Sequence, residues 1–400
     1  MKIQAAAPFW IISYTMVVIM MGTNIPSPLY GLYGEMWNFS SGMTTLLFAM
    51  YAIVLVPSSL VFGQLSDSLG RKKLLLLGIL VSAIGSVSFI SAHHTGTLLV
   101  SRAVQGLCVG IWNGPAIATM AELRPAHRKI ATLVASISIA VGIATGPLYA
   151  GLLAQYAPWP IRLPYAIHLM LLIPALVGVA MMPETVRQVT KSRRLHLPNV
   201  PKSIRRSFLI TCFGGVVAWA VAGFFMVIAP SYVTTLVGIH NLAISGAIVS
   251  LMFCCSTLAQ ITLKRLTART SIIIGFTLLM LGILGVIISI SGQQLWLLLI
   301  STMLAGVGHG PVAAATLAMA SELAPPQSRA DVVSSYYAIG YLGICLPVLG
   351  LGFVAEWIGL YHGILIFASV IAAAMLLLAG MVLFHFRPAD NSTEEVGEGA

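Results

Sequence analysis

The sequence has 400 residues, of which 58% are apolar and only 8% are charged. A water-soluble chain carries about 25% charged residues, because its surface faces water. So few charges cannot cover a soluble surface of this size, and the sequence predicts that most of the surface faces lipid. The net charge of +10 does not indicate nucleic-acid binding, because the basic residues are confined to short segments between apolar runs.

Twelve apolar runs are long enough to cross the ~30 Å hydrocarbon core of a bilayer as helices. They do not alternate, and they contain scattered glycine and proline, which argues against strands. The first run has no small-residue cleavage site, so it is interpreted as a spanning helix and not as a removed signal peptide. The predicted helices cover residues 9–32, 42–65, 73–92, 97–120, 130–155, 163–183, 208–231, 242–262, 270–291, 295–320, 330–355 and 360–384.

Lysine and arginine predict the orientation of these helices. With the N-terminus placed in the cytoplasm, every basic residue except Arg102 and Arg162 falls in or beside a cytoplasmic segment, as the positive-inside rule requires. Residues 184–207 are then a cytoplasmic linker and residues 386–400 an acidic cytoplasmic tail. We expect a multi-pass protein of the bacterial inner membrane with both termini in the cytoplasm.

The two halves of the chain, residues 1–183 and 208–385, show signs of an internal duplication. Residues that coincide after a shift of 200 positions are Ser101, Gly106, Gly110, Glu122, Pro125 and Pro147 in the first half, and Ser301, Gly306, Gly310, Glu322, Pro325 and Pro347 in the second. Parallel repeats of six helices are the architecture of major facilitator transporters. The sequence therefore predicts an all-α membrane protein of twelve transmembrane helices in two parallel six-helix repeats.

The segment after the second predicted helix reads GQLSDSLGRKK. It resembles the signature loop of the major facilitator superfamily, G-x-L-x-D-x-x-G-R-K/R-K/R, which Gly63, Asp67, Gly70 and Arg71 match. The resemblance implies a gating role, in which Asp67 braces the two halves by meeting the start of the eleventh helix. The alternative is a plain cytoplasmic turn whose charges set the topology.

The fourth predicted helix contains Arg102, Gln105 and Gly106. These residues resemble the R-x-x-Q-G motif that the family ties to proton coupling. An isolated charge within a membrane is costly and usually faces a cavity or a partner. The alternative for Arg102 is a side chain that snorkels to the nearby outer surface.

The fifth predicted helix reads GIATGPLYAG. It resembles the antiporter signature G-x-x-x-G-P-x-x-G-G at Gly142, Gly146, Pro147 and Gly151, and Ala150 replaces one glycine. Small residues four positions apart let helices approach closely, and proline bends a helix by removing a hydrogen bond. The resemblance implies a drug–proton exporter.

Two glutamates close the fourth and tenth predicted helices on the cytoplasmic side. Glu122 has Arg128 nearby in the sequence, and Glu322 has Arg329. We expect these four residues to form a cytoplasmic ion-pair network with Asp67 and Arg71. The alternative is surface pairs worth only ~0–1 kcal/mol each.

No acidic residue lies in the middle of a predicted span, although many proton-coupled exporters use such a carboxylate. The remaining titratable candidates are His309 near the middle of the tenth helix, His168 in the sixth, and Glu35 near the outer end of the first. Of these, His309 and Glu35 are the candidates for a proton site. A histidine titrates near neutral pH, so it can carry protons. A satisfied buried histidine is the alternative for His309.

By resemblance to the family, helices 1, 4, 7 and 10 line a cavity between the halves. Large aromatic side chains with few charges suit an amphipathic or weakly cationic solute better than a phosphate. Each candidate residue can instead be a packing residue. The candidates are Asn24, Trp112, Asn113, Trp219, Phe224, His309 and Tyr336.

These features predict a secondary active transporter that exports small hydrophobic or amphipathic compounds in exchange for protons by alternating access. The alternative is a facilitator or importer of a metabolite such as a sugar or organic acid. An enzyme is not expected, because no catalytic, nucleotide-binding or metal-binding motif is found. We expect no cofactor or metal, a functional monomer in the lipid bilayer, and a small-molecule substrate and protons as partners.

The basic bias gives a first testable prediction. A reporter active only in the cytoplasm should be active when fused within residues 184–207 and inactive when fused in the loop of His93 and His94. Activity of a periplasmic reporter in the central segment would contradict the predicted topology.

Overall fold

A computed structural model describes residues 6–185, 198–235, 238, 240–325 and 328–385. Residues 186–197, which are half of the predicted linker, and the whole predicted tail, residues 386–400, lie outside these ranges. The described part contains α-helices and two 3-10 turns, Pro125–His127 and Lys202–Ile204, and no strand. The helices are α1 (Ala6–Asn24), α2 (Pro26–Trp37), α3 (Ser41–Leu69), α4 (Arg71–Ile90), α5 (Thr95–Leu123), α6 (Arg128–Tyr156), α7 (Leu163–Met181), α8 (Arg205–Thr235), α9 (Leu242–Thr262), α10 (Ala268–Gly292), α11 (Leu295–Leu323), α12 (Arg329–Ile358) and α13 (Leu360–His385).

The first predicted span is two consecutive helices. Helix α1 ends at Asn24 and α2 starts at Pro26. Pro26 and Pro28 have no backbone N–H, so the carbonyls four residues earlier, at Gly22 and Asn24, lose their usual helical donors. The two helices still form one apolar stretch from Ala7 to Trp37. The thirteen described helices therefore make twelve spans, as the sequence predicts.

Eleven of these spans are long and apolar enough to cross a membrane by length and composition. Helix α5 falls outside that group among the described residues, although it has 29 residues. Its Arg102, Gln105 and Asn113 lower its hydropathy. Helix α5 packs between α3 and α4, so neighbouring helices shield its polar face from lipid. The all-helical fold of twelve spans is confirmed.

The spans alternate in direction, so their connections lie on two sides of the molecule. We call the side with the segment between α7 and α8 the linker side, and the opposite side the far side. The α3–α4 turn at Gly70 and the α5–α6 turn at Arg124 lie on the linker side. The α4–α5 turn and the break between α8 and α9 lie on the far side.

Equivalent helices pack in the same way in the two halves. A Cβ atom added to Gly106 of α5 would collide with the backbone carbonyl of Tyr51 on α3, and one added to Gly306 of α11 would collide with that of Met252 on α9. The α5–α3 and α11–α9 pairs are the fourth and second spans of their halves. This equivalence is what a duplicated six-helix unit predicts.

Hydrogen bonds among the described residues join helices α1–α7 to helices α8–α13 in the middle and at the far side of the bundle. The hydroxyl of Ser27 donates to the carbonyl of Met226, that of Ser250 donates to the carbonyl of Ala144, and the Leu242 N–H donates to Gln155 Oε1 at 2.8 Å. Far-side residues of both halves, including Phe48 of α3 and Val348 of α12, also belong to one hydrophobic cluster. The halves are therefore closed against each other on the far side.

The glycine contacts give a second prediction. Gly106→Ala should destabilise the protein by about 1–3 kcal/mol, because the new methyl group meets backbone that must shift. The matched control is Gly350→Ala on α12, where an added Cβ has no neighbour within 4 Å. Thermal unfolding of the purified variants in detergent measures the difference. Equal stability of the two variants would contradict the close α3–α5 contact.

Candidate functional site

Arg102 of α5 is buried, with 3% of its surface exposed. Its Nε donates to the carbonyl of Leu47 at 3.2 Å, and its Nη1 donates to the carbonyl of Thr23 at 3.0 Å and to Gln105 Oε1 at 2.7 Å. The guanidinium thus links α5 to α1 and α3. Its donors reach protein acceptors, so the side chain does not snorkel to the surface.

Aromatic rings complete the surroundings of the Arg102 charge. The guanidinium carbon lies 4.8 Å from the ring centre of Tyr51 and 5.8 Å from that of Phe48. Among the described residues, no carboxylate lies within salt-bridge distance of Arg102. Carbonyl dipoles and ring faces therefore take the place of water and counter-ion around this charge.

Gln105 repairs the break in the first span. Its Nε2 donates to the carbonyl of Gly22 at 3.0 Å, which is the carbonyl that Pro26 leaves without a helical donor. Arg102 Nη1 donates to the next carbonyl, that of Thr23, at 3.0 Å. An unpaired backbone carbonyl in an apolar surrounding is costly, so the two side chains of this motif stabilise the broken helix.

The glycine motif of α6 faces two different helices. A Cβ atom added to Gly142 would lie 2.6 Å from the carbonyl oxygen of Val17, and one added to Gly146 would lie 2.6 Å from that of Met21. Both carbonyls belong to α1. The first part of the motif therefore seats α6 on α1 within the N-terminal half.

The second part of the motif faces the other half. A Cβ atom added to Gly151 would collide with the carbonyl of Leu242, and one added to Gly246 would collide with the carbonyl of Pro147. Leu242 and Gly246 belong to the first two turns of α9. The motif therefore builds the contact between α6 and α9 that closes the far side.

A network on the linker side surrounds the α3–α4 turn. Gly70 has φ of +92°, a left-handed conformation that favours glycine. Arg71 Nη2 lies 3.2 Å from Glu122 Oε1. The two carboxylate oxygens of Glu184 accept the N–H groups of Arg71 at 3.0 Å and Lys72 at 3.2 Å, which caps the N-terminus of α4.

Several residues predicted for this network lie elsewhere. Arg128, Glu322 and Arg329 are exposed, and the structure does not bring them into the Arg71–Glu122 ion pair. Asp67 lies in the last turn of α3, and its side chain falls outside the described part of the chain. Gly63, one turn earlier, is exposed, and an added Cβ there has no neighbour within 4 Å.

Sequence analysis did not assign Glu184 and Thr185 to the network. The Thr185 hydroxyl donates to Glu122 Oε2 at 2.6 Å, and Glu184 caps α4. A carboxylate just after α7, on the same side of the membrane as an uncapped helix start, is the sequence signal for this contact. Its partner is more than a hundred residues away in the sequence, so only the fold shows the pairing.

His309 of α11 lies in the interior, with 3% of its surface exposed. Its Nδ1 is 2.8 Å from the Ser256 hydroxyl of α9, and its ring centre is 4.8 Å from that of Trp219 on α8 in an edge-on arrangement. Its Nε2 is buried and has no hydrogen-bond partner in the described part of the chain, and neither has Oδ1 of Asn113 on α5. Such orphan atoms cost about 1–3 kcal/mol each, so each offers a hydrogen bond to a ligand or water.

Three other cavity candidates are packed inside one half. Trp112 Nε1 donates to the carbonyl of Leu75 at 3.1 Å, and the Phe224 ring stacks on that of Phe367 at 5.6 Å. Tyr336 is buried in a hydrophobic cluster of the C-terminal half. We therefore leave these three aromatic residues out of the candidate site.

The two remaining candidates belong to the first span. Asn24 is buried at the break, where its Nδ2 donates to the carbonyl of Met20 at 2.7 Å. Glu35 is exposed on α2, near the far side. Among the predicted residues, the structure brings together His309 and Trp219, and Glu35 lies at a distance in the other half.

The sequence profile of the Major Facilitator Superfamily matches residues 12–271 and 211–399. The chain belongs to this superfamily, and it is a multi-pass membrane transporter and not an enzyme.

Individual relatives are more distant. The chain is 23% identical over 147 residues to the quinolone resistance protein NorA of Staphylococcus aureus. The aligned region covers 36% of this chain and 38% of NorA. Among solved structures, a bacterial homologue of the human lysosomal transporter Spinster in an inward-facing, unoccupied conformation matches with a TM-score of 0.74 at 12% identity, over 97% of this chain and 100% of that one. A mutant form of the nucleoside transporter NupG matches with a TM-score of 0.74 at 13% identity, over 95% of this chain and 100% of that one.

The surroundings of Arg102 give a third prediction. Arg102→Lys should destabilise the protein by about 1–3 kcal/mol per carbonyl left without a donor, because one ammonium group cannot replace the guanidinium fork. Arg162→Lys, at an exposed far-side position, is the matched control. Thermal unfolding in detergent distinguishes the two. Equal stability of Arg102→Lys and the control would show that the positive charge is sufficient and that the hydrogen-bond geometry of the guanidinium does not stabilise the protein.

Proposed function

We propose that this transporter exports small hydrophobic or amphipathic compounds in exchange for protons, by alternating access. The observation that carries the proposal is the position of the α6 motif. Its Gly142–Gly151 segment resembles the antiporter signature and forms the contact with α9 that closes the far side. A contact between the halves at this place must open in every transport cycle, so the motif is suited to set which state is stable.

The relation to NorA supports an export direction. The matched relative is named for quinolone resistance, and resistance to a drug is what removal of that drug from the cell produces. The match covers little more than a third of either chain, so it supports the class of activity and does not name a substrate. If transport assays show uptake of a metabolite, the importer hypothesis replaces this one.

We infer that the linker side is cytoplasmic, because the basic segments lie there. The far side is then the outer surface, and the described state is inward-facing. The contacts between α3 and α12 support this inference. On the far side a Cβ added to Gly352 of α12 would collide with the side chain of Thr45 on α3, so these two helices touch there.

The residues left in the candidate site suit an amphipathic solute. Trp219 offers a large ring, and the orphan Nε2 of His309 beside it offers a hydrogen bond. Arg102 is already bound by carbonyls and rings, so its charge is not free to bind a phosphate or carboxylate. We therefore favour neutral or weakly cationic aromatic compounds as substrates.

Coupling to protons is assigned to His309 in this proposal. A coupling group must bind a proton in one state and release it in the other, which a histidine can do near neutral pH. The unpartnered Nε2 of His309 is the atom available for that proton, because Nδ1 already contacts Ser256. Glu35 is the alternative proton site.

A fourth prediction tests this assignment. A pH difference of one unit stores about 1.4 kcal/mol per proton, which supports roughly a tenfold substrate gradient in one-for-one exchange. His309→Gln in proteoliposomes should reduce that gradient to near unity, and substrate binding should be kept because the glutamine amide still offers a hydrogen bond. Accumulation of a fluorescent amphipathic dye, driven by an imposed pH difference, is the measurement.

His168→Gln is the matched control, because His168 is also a buried histidine. Its Nδ1 contacts Ser86 at 2.8 Å and its Nε2 contacts the carbonyl of Val18 at 3.1 Å, so neither nitrogen is left for a proton relay. Tenfold accumulation by His309→Gln would show that His309 does not couple transport to protons, and Glu35 would then be the proton-site candidate. Equal loss in both variants would indicate that any change of a buried histidine damages the fold.

A further inference from the structure

A cavity of about 250 Å³ lies between the two halves on the far side, away from the candidate transport site. Its walls come from α2, from the last turns of α6, and from the first turns of α9. At ~30 Å³ per water molecule it holds the volume of about eight waters. It is therefore large enough for a small organic molecule of about that many non-hydrogen atoms.

The lining combines apolar walls with a few polar groups. Pro28 and Leu32 supply apolar surface, and Glu35 supplies the one carboxylate among the lining residues. Ser245 lines the cavity, is only 1% exposed, and has a buried hydroxyl oxygen without a hydrogen-bond partner among the described residues. An unpaired hydroxyl in this position is a group that a ligand can satisfy.

The other polar lining residues are Gln155 and His240. Gln155 Oε1 is occupied by the Leu242 N–H at 2.8 Å, which also ties α6 to α9. His240 lines the cavity and is exposed to solvent. The described lining contains the carboxylate of Glu35 and no lysine or arginine, so the cavity favours a cation over an anion.

We propose that this cavity is a binding site for small organic ammonium ions. The Glu35 carboxylate pairs with the ammonium group, the Ser245 hydroxyl accepts one of its hydrogen bonds, and Pro28 and Leu32 contact its hydrocarbon part. The site is distinct from the one assigned to the transported compound.

Occupation of the site has a consequence for the transport cycle. Both halves form its walls, so the cavity exists only while the far side is closed. A ligand that binds one state alone stabilises that state by RT ln(1 + L/Kd), where L is the free ligand concentration, so the effect grows with ligand concentration and affinity. An ammonium ion in this cavity therefore holds the far side closed.

The experiment uses the purified full chain in detergent, with benzylamine as the probe and benzyl alcohol as a neutral probe of the same size. Isothermal titration gives the affinity for each. Benzylamine should bind at least ten times more tightly than benzyl alcohol. Glu35→Gln should lose at least tenfold of the benzylamine affinity, and Glu356→Gln, which removes a far-side carboxylate outside the cavity, should keep it.

Several outcomes would overturn the proposal. These are the absence of benzylamine binding to the parent protein, equal affinity for the two probes, or an unchanged affinity in Glu35→Gln. If Glu35→Gln does not fold, Ser245→Ala decides the point, because it should weaken benzylamine binding several-fold and leave benzyl alcohol unaffected. Binding is measured without transport, so the result does not depend on which compound the protein carries.

Discussion

The break in the first span is the constraint on which the N-terminal half depends. Pro26 and Pro28 interrupt the backbone hydrogen bonds between α1 and α2, at a depth where no water can replace them. Gln105 donates to the buried carbonyl of Gly22, which has lost its helical donor, and Arg102 donates to the carbonyl of Thr23. The carbonyls at the break thus stabilise the buried charge of Arg102, and the side chains of Arg102 and Gln105 supply hydrogen-bond donors to those carbonyls.

Close helix contacts at glycine connect the Arg102 site to the neighbouring helices. Gly106 follows Gln105 and lets α5 approach α3, which also supplies the Leu47 carbonyl and the Tyr51 ring around Arg102. In lipid there is little hydrophobic force between helices, so packing at small residues carries much of the stability. The second half uses the same device at Gly306 but has no counterpart of Arg102, since Thr302 occupies the equivalent position.

The α6–α9 contact between the halves and the proposed ammonium-binding cavity both lie on the far side. The α6 motif faces α1 with its first glycines and α9 with its last, so a movement of α9 acts directly on the helix that supports the first span. The cavity beside Glu35 lies at the same α6–α9 contact. A ligand there and a substrate deeper in the protein would both act on one equilibrium, between a closed and an open far side.

The sequence alone determined the spans, the duplication and the family resemblance. Span length follows from bilayer thickness, and the repeated glycines of α5 and α11 lie in register because both halves need the same close contacts. These features are local in the chain, so they can be read without a structure.

Only the tertiary structure decided which face of each helix points inward. Lipid and protein interior are both apolar, so a membrane helix has no polar face that identifies its outer side. For that reason Trp112, Phe224 and Tyr336 could be expected in a cavity and are found packed within one half. The pairing of Glu184 with the start of α4, and of Gln155 with the start of α9, also needed the fold, because their partners are distant in the sequence.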